Sequence, residues 1–336
     1  MTWPRCLMLY ELFTIPQLGT MSTSTPTPIF GCASVGFNFI TKESVEELLS
    51  TVKNNGIKRI DTAGRYPPTS PGASECLLGE AGATDLGFQI DTKVLVLATA
   101  AGSLSAENIA QSVQRSFDRL RIQQINTLYC HMPDPETPLL EQAKALNEQY
   151  EQGRFKQLGV SNFSVPMMKE FFDICTEHNF VKPSVYQGQY NLLRRGDEQE
   201  LIPFLRANGC AYVAFSPLGG GFLTGRCTAG IIENTRFAGD NPMSRAVRAW
   251  YDKPQMHGTI KKLEELLTGS EISMPEAALR WLFHHSMLRE PDSVLLGASK
   301  AQQIETNMRQ IAKGPLPDAI VVGLGSLWAD VEGCAP

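Results

Sequence analysis

The 336-residue chain lacks any uncharged apolar run of the roughly 18–20 residues that a membrane span requires. It also lacks an excess of charge of either sign. A net charge of −5 gives no bulk attraction for nucleic acid or an anionic membrane, so any phosphate it binds must be held by a local site. Eight cysteines (Cys6, Cys32, Cys76, Cys130, Cys175, Cys210, Cys227 and Cys334) form no CxxC pair and no metal-ligand spacing. That scatter fits free thiols in a reducing, cytoplasmic setting, and predicts neither a disulfide scaffold nor a metal centre. A glycine fingerprint for dinucleotides is missing as well: residues 31–36 lack the pattern, and Gly323-Leu324-Gly325 falls too near the end.

The first 20 residues hold a short apolar stretch, 6–10, interrupted by Glu11, with no small-residue cleavage pattern. They do not read as a signal peptide. Met21 opens a Ser/Thr/Pro run, so residues 1–28 are expected to be a disordered leader or a start assigned too early, with one domain over 29–336.

What is present is a regular succession of short apolar runs and helical patterns. Helices are predicted over 42–55, 106–120, 138–151, 165–178, 197–207 and 275–286. Thr41, Ser105 and Ser164 stand where each can cap a first turn. Strands are predicted over 57–61, 88–93, 127–131, 158–161, 185–187, 212–215 and 293–296, with a first one in the 29–35 region. Runs such as Tyr212-Val213-Ala214-Phe215 are apolar without alternation, as buried parallel strands are. A doubly wound sheet would fit the same succession. The polar residues decide: Asp61, Lys93, His131, Ser161, Gln187 and Ser216 sit at or just beyond the ends of many different strands, the pattern of a (β/α)8 TIM barrel.

The strongest local signal is Asp61-Thr62-Ala63-Gly64-Arg65-Tyr66, followed one step later by Asp91-Thr92-Lys93 and then by Tyr129-Cys130-His131-Met132-Pro133-Asp134. Residues 153–162, Gly-Arg-Phe-Lys-Gln-Leu-Gly-Val-Ser-Asn, complete the set. In this order the chain resembles the aldo-keto reductase superfamily, in particular its microbial and aflatoxin-aldehyde-reductase-like branch, over roughly 29–307. The resemblance implies an NADPH-dependent reductase of an aldehyde or ketone with Asp61, Tyr66, Lys93 and His131 as its catalytic tetrad. The residue types suit that chemistry. A tyrosine ordinarily titrates near 10; a lysine ammonium beside it would stabilise the phenolate and ease proton donation. Asp61 can hold the ammonium, and His131 can donate to a carbonyl oxygen.

The resemblance also implies a cofactor site. Ser161, Asn162 and Gln187 would bind the nicotinamide carboxamide, and Phe215 would stack on its ring where relatives carry tyrosine. Ser216, Leu218, Gly220 and Arg226 would line the pyrophosphate. Ser299, Lys300, Gln303 and Asn307 would meet the adenosine 2′-phosphate and adenine, with Gln303 in place of a family arginine. Asn126 stands where relatives often have aspartate, and residues 67–72 are longer and richer in proline than usual. On the substrate side, Arg236, Trp250 and Tyr251 in the long 227–257 connection are expected to meet a flat, aromatic or polyketide-like carbonyl compound, or a carboxylate through the arginine. His178, His257, His284 and His285 read as surface residues. A helix over 315–330 is expected near the pocket mouth. Two other functions share these motifs: an NADPH-binding regulatory subunit without turnover, and a biosynthetic enzyme performing a non-reductive step on the same scaffold.

Overall fold

A computed structural model describes residues 24–96 and 100–335. The N-terminal leader expected over 1–28 lies mostly outside them, although Thr27 and Pro28 already belong to the first strand. In chain order the strands are β1 (Thr27–Gly31), β2 (Arg59–Asp61), β3 (Gln89–Lys93), β4 (Ile125–Cys130), β5 (Phe155–Ser161), β6 (Pro183–Gln189), β7 (Ala211–Phe215) and β8 (Ser293–Gly297). Each pairs in parallel with its sequence neighbours and β8 closes on β1, so the sheet is a complete (β/α)8 barrel. Closure leaves no unpaired sheet edge.

The helices are α1 (Lys42–Asn54), α2 (Ala73–Glu80), α3 (Ala106–Leu120), α4 (Leu139–Glu151), α5 (Val165–Glu177), α6 (Leu201–Ala207), α7 (Pro242–Tyr251), α8 (Pro254–Leu267), α9 (Met274–His284), α10 (Gln302–Ile311) and α11 (Asp318–Leu327). Thr41, Ser105 and Ser164 each accept a backbone N–H of the first turn, as expected from sequence. α3 shows why such segments form. Ile109, Val113 and Leu120 recur at helical spacing and are buried against the barrel wall, each contributing about 1.5–3 kcal/mol relative to exposure.

The helix expected over 197–207 is two pieces, a 3-10 turn at Gly196–Glu198 and α6. Pro203 is the cause: its ring cannot share an α-helix with the carbonyl of Gln199, so the helix starts late. The long connection after β7 is not irregular; it contains α7 and leads into α8.

Inside the barrel, Ile29, Tyr129, Val185, Val213 and Leu295 form an apolar layer. Gly159 is required beside it, because a Cβ there would lie 2.3 Å from the Tyr129 ring. Another part of the β2–β5 wall is polar. Arg59 pairs with the fully buried Asp91 at 2.7 Å, and Asn126 Nδ2 donates to the other Asp91 oxygen at 2.6 Å. The departure from aspartate at position 126 thus supplies a donor where a second carboxylate would repel the first.

Candidate active site

The site grows from the carboxyl ends of the strands. β2 ends on Asp61 and β3 on Lys93, in adjacent parallel strands, and both side chains are buried. Lys93 Nζ pairs directly with Asp61 Oδ1 and donates to the Thr62 carbonyl at 2.8 Å. The remaining carboxylate oxygen, Asp61 Oδ2, accepts from Gln187 Nε2 at 2.9 Å. Burial works against the ammonium, but Asp61, Tyr66 and Asp91 outweigh it and raise the Lys93 pKa. Lys93 is therefore a fixed cation.

Tyr66 follows β2 on a loop. Lys93 Nζ lies 5.3 Å from its ring centroid, and the His131 ring packs edge-on at 5.6 Å. The expectation of a lowered tyrosine pKa is corrected here. Burial pushes the phenol up, and Lys93 and Arg236 pull it down by less, so the net shift is upward. His131, just past β4, is held near pKa 3 by burial and by the charges of Lys93 and Arg65. Its Nδ1 is buried with no hydrogen-bond partner among the described residues. A neutral imidazole with an orphaned nitrogen beside a proton-carrying phenol is a site prepared for a polar guest.

The four residues expected to be catalytic are thus brought together. The expected carboxamide residues are close by but already engaged. Ser161 Oγ donates to the Gln187 carbonyl at 2.9 Å, and Asn162 Nδ2 donates to the His131 carbonyl at 3.0 Å. Asn162 adopts φ 63° and Ser216 φ 55°. Left-handed backbone at non-glycine residues is costly and collects at functional sites.

Phe215 is half-buried against the apolar layer inside the barrel. After it, Gly219, Gly220 and Gly221 take φ values of 58°, 66° and 102° in succession, a run that L side chains rarely adopt. A Cβ on Gly221 would meet nothing within 4 Å, which leaves its backbone open to close approach; Leu218 is half-buried just before this run. Arg226 is exposed and its guanidinium donates to the Glu233 carbonyl at 3.3 Å. At the start of α10, Gln303 Oε1 accepts from Ser299 N at 2.8 Å and Lys300 N at 3.3 Å, so a neutral oxygen stands on the amides expected to meet a phosphate. Asn307 lies one turn on, half-buried.

On the substrate side the outcome is mixed. Arg236 is exposed as a residue, yet burial around its guanidinium lowers its pKa; its charge acts on Tyr66, and it pairs with no carboxylate among the described residues. Trp250 is half-buried against the core. Tyr251 does not face a ligand: it is fully buried, stacks on Phe222 at 5.5 Å, and its hydroxyl accepts from Gln189 at 2.8 Å and Asn191 at 2.9 Å. It anchors the glycine loop. His284 and His285 are not idle surface groups either. His284 Nε2 meets the Ile311 carbonyl at 3.0 Å, and His285 Nε2 accepts from Leu316 N at 2.8 Å.

Sequence reasoning missed Glu75 as a support of the site. Fully buried in α2, it accepts from Thr92 and Ser116 at 2.7 Å each and from Arg119 at 3.2 Å. It thereby ties α2 and α3 to the strand that ends in Lys93. Its signal was the Ser74-Glu75 pair after the proline-rich loop.

No helix among the described residues is long and apolar enough to cross a membrane. The model of the aldo/keto reductase family matches residues 17–327. Among curated proteins, the chain is 33% identical over 322 residues to human aldo-keto reductase family 7 member A3, covering 92% of this chain and 95% of that one. It is 32% identical to rat aflatoxin B1 aldehyde reductase member 2, over 90% of this chain and 84% of the relative. It is 31% identical to oxidoreductase sirO of Leptosphaeria maculans, over 93% and 96%. Near-complete coverage in both directions, together with an eight-stranded barrel carrying its polar residues at the strand ends, makes this chain a member of the aldo/keto reductase family of oxidoreductases.

Proposed function

We propose that the chain reduces an aldehyde or ketone to the alcohol with NADPH, Tyr66 giving the proton. The observation that carries this reading is the buried Asp61–Lys93 pair beside Tyr66 and His131, all at one end of the barrel. When bound, NADPH would supply the hydride for the carbonyl carbon. The residues present suit such a guest: the orphaned His131 Nδ1 and the left-handed Gly219–Gly221 run offer polar and close-approach contacts, and the amides of Ser299 and Lys300 would join them once Gln303 Oε1 gives way.

Tyr66 carries its proton at neutral pH because burial holds its pKa up. When the proton passes to the carbonyl oxygen, the phenolate left behind is stabilised by the Lys93 ammonium, itself fixed by Asp61. His131, uncharged, can donate one hydrogen bond to the same oxygen and orient it without competing as an acid. Ser161 and Asn162 would hold the carboxamide, and Phe215 would present an apolar face to the ring.

The Arg236 charge near Tyr66, which pairs with no carboxylate among the described residues, supports a carbonyl compound that also bears an anionic group, with Trp250 bordering an aromatic one. The test is NADPH oxidation with matched aromatic aldehydes with and without a carboxylate, in wild type and Arg236→Ala. A KM that rises about tenfold for the carboxylated members alone supports the assignment, since a charged hydrogen bond contributes about 1.5–3 kcal/mol. Equal loss across the panel, or none, removes Arg236 from the substrate site.

A further inference from the structure

The connection from β7 to α8 brings Cys227 back against Asp252 and His257, which flank the start of α8. One ligand atom from each lies within 4.8 Å of the other two. His257 Nε2 is 2.9 Å from Asp252 Oδ1, and its Nδ1 is 2.9 Å from Thr228 Oγ1. The imidazole packs at 66° against Phe222, 5.2 Å between centroids, which fixes the plane of the ring. Cys227 and His257 are half-buried and Asp252 is exposed, so the cluster is open to an ion from solvent.

From this cluster we propose a divalent transition-metal site, best suited to Zn2+, formed by Cys227 Sγ, the Asp252 carboxylate and His257 Nε2, with water in the fourth position. The donor set decides the ion. One thiolate, one imidazole and one carboxylate match Zn2+ and mismatch Mg2+ or Ca2+, which take oxygen ligands. Thiolate and carboxylate together balance the two positive charges. A Zn2+ tetrahedron with bonds of 2.0–2.3 Å sets its ligand atoms about 3.3–3.8 Å apart, so the thiolate side closes in by at most about 1.5 Å while the His257–Asp252 pair, 2.9 Å apart, opens slightly to admit the ion. With Nε2 on the ion, Nδ1–H donates to Thr228 Oγ1, the outer partner that orients a metal-bound histidine.

The site's place in the fold gives it a consequence. Cys227 and Asp252 bracket the segment that carries Arg236 and α7, and Phe222 follows directly on Gly219–Gly221. A bound ion clips the two ends of that segment together and restrains the stretch that carries Arg236, whose charge acts on Tyr66. The cluster owes nothing to the reductase assignment, and either stands without the other.

The test uses the full chain stripped with a chelator and titrated with Zn2+ by calorimetry, then with Co2+ followed by absorbance. Wild type is expected to take one ion with micromolar affinity and to show a sulfur-to-cobalt charge-transfer band. Its thermal midpoint should rise with Zn2+. Cys227→Ser is expected to abolish the band, and His257→Ala and the exposed-site variant Asp252→Asn to weaken binding by roughly 10–100-fold or more. Binding only in the millimolar range, or a charge-transfer band that survives in Cys227→Ser because another cysteine holds the ion, would overturn the site.

Discussion

Gln187 Nε2 reaches across the barrel to Asp61 Oδ2 at 2.9 Å and takes the carboxylate oxygen that Lys93 leaves open. Asp61 is thereby held from both sides. The Gln187 Nε2 atom of the amide expected to bind a nicotinamide carboxamide stands on the ion pair. A lost hydrogen bond to a buried charge costs about 1.5–3 kcal/mol. Gln187→Leu should therefore lower turnover about tenfold or more, while NADPH affinity, read by fluorescence, stays within a few-fold. The reverse pattern, intact turnover with collapsed affinity, would restore the carboxamide role.

The Asp61–Lys93 pair is buried on both sides, with side-chain exposures of 3% and 1%. Removing one member strands the other charge in the interior, which costs about 3–5 kcal/mol. Lys93→Met and Asp61→Leu should each shift the urea midpoint strongly, and the double variant should recover part of the loss. Additive destabilisation in the double variant would show that the two charges do not depend on each other.

The two pH effects share one origin, burial, and run in opposite directions. Tyr66 donates only in its protonated form, and its raised pKa keeps that form through neutral and mildly alkaline pH. Reductive turnover should then be flat there and fall only above the ordinary tyrosine value of about 10. A decline centred near neutral pH would place another acid in the step.

His131 is depressed from 6.5 to about 3 in the folded chain. Between those values the unfolded chain binds a proton that the native chain refuses, so stability falls as pH drops through that window. His131→Asn should flatten the urea midpoint between pH 6.5 and pH 3 relative to wild type. An unchanged acid slope would mean that other groups carry it.

At α10, Gln303 Oε1 caps the amides of Ser299 and Lys300 with a neutral oxygen. Gln303→Arg adds a charge that can pair bidentately with a phosphate. It should increase the preference for NADPH over NADH by about tenfold, the equivalent of about 1.4 kcal/mol, in competitive binding measurements. An unchanged ratio would place the 2′-phosphate elsewhere.

Much of this molecule could be read before any coordinates. Periodicity and caps located α3 and α5, because Ser105 and Ser164 act through neighbours three residues away. The tetrad could be ordered because its members end or follow three successive strands, Asp61 and Tyr66 at β2, Lys93 at β3 and His131 at β4. Less local features escaped. Whether Tyr251 faces a ligand depends on Phe222, Gln189 and Asn191, which no spacing reveals. The Tyr66 pKa turned on burial rather than on the nearby ammonium, and burial is a property of the closed barrel. The Cys227, Asp252 and His257 cluster has no linear signature, since α7 separates Cys227 from the other two.

The most direct measurement is Tyr66→Phe compared with wild type for NADPH binding and for carbonyl-dependent NADPH oxidation. General acid catalysis contributes about 10²–10⁴-fold. Turnover should drop by that order while NADPH binding persists. Full turnover in the phenylalanine variant would contradict proton donation by Tyr66, and NADPH binding by wild type with no turnover of any carbonyl would contradict the reductase itself.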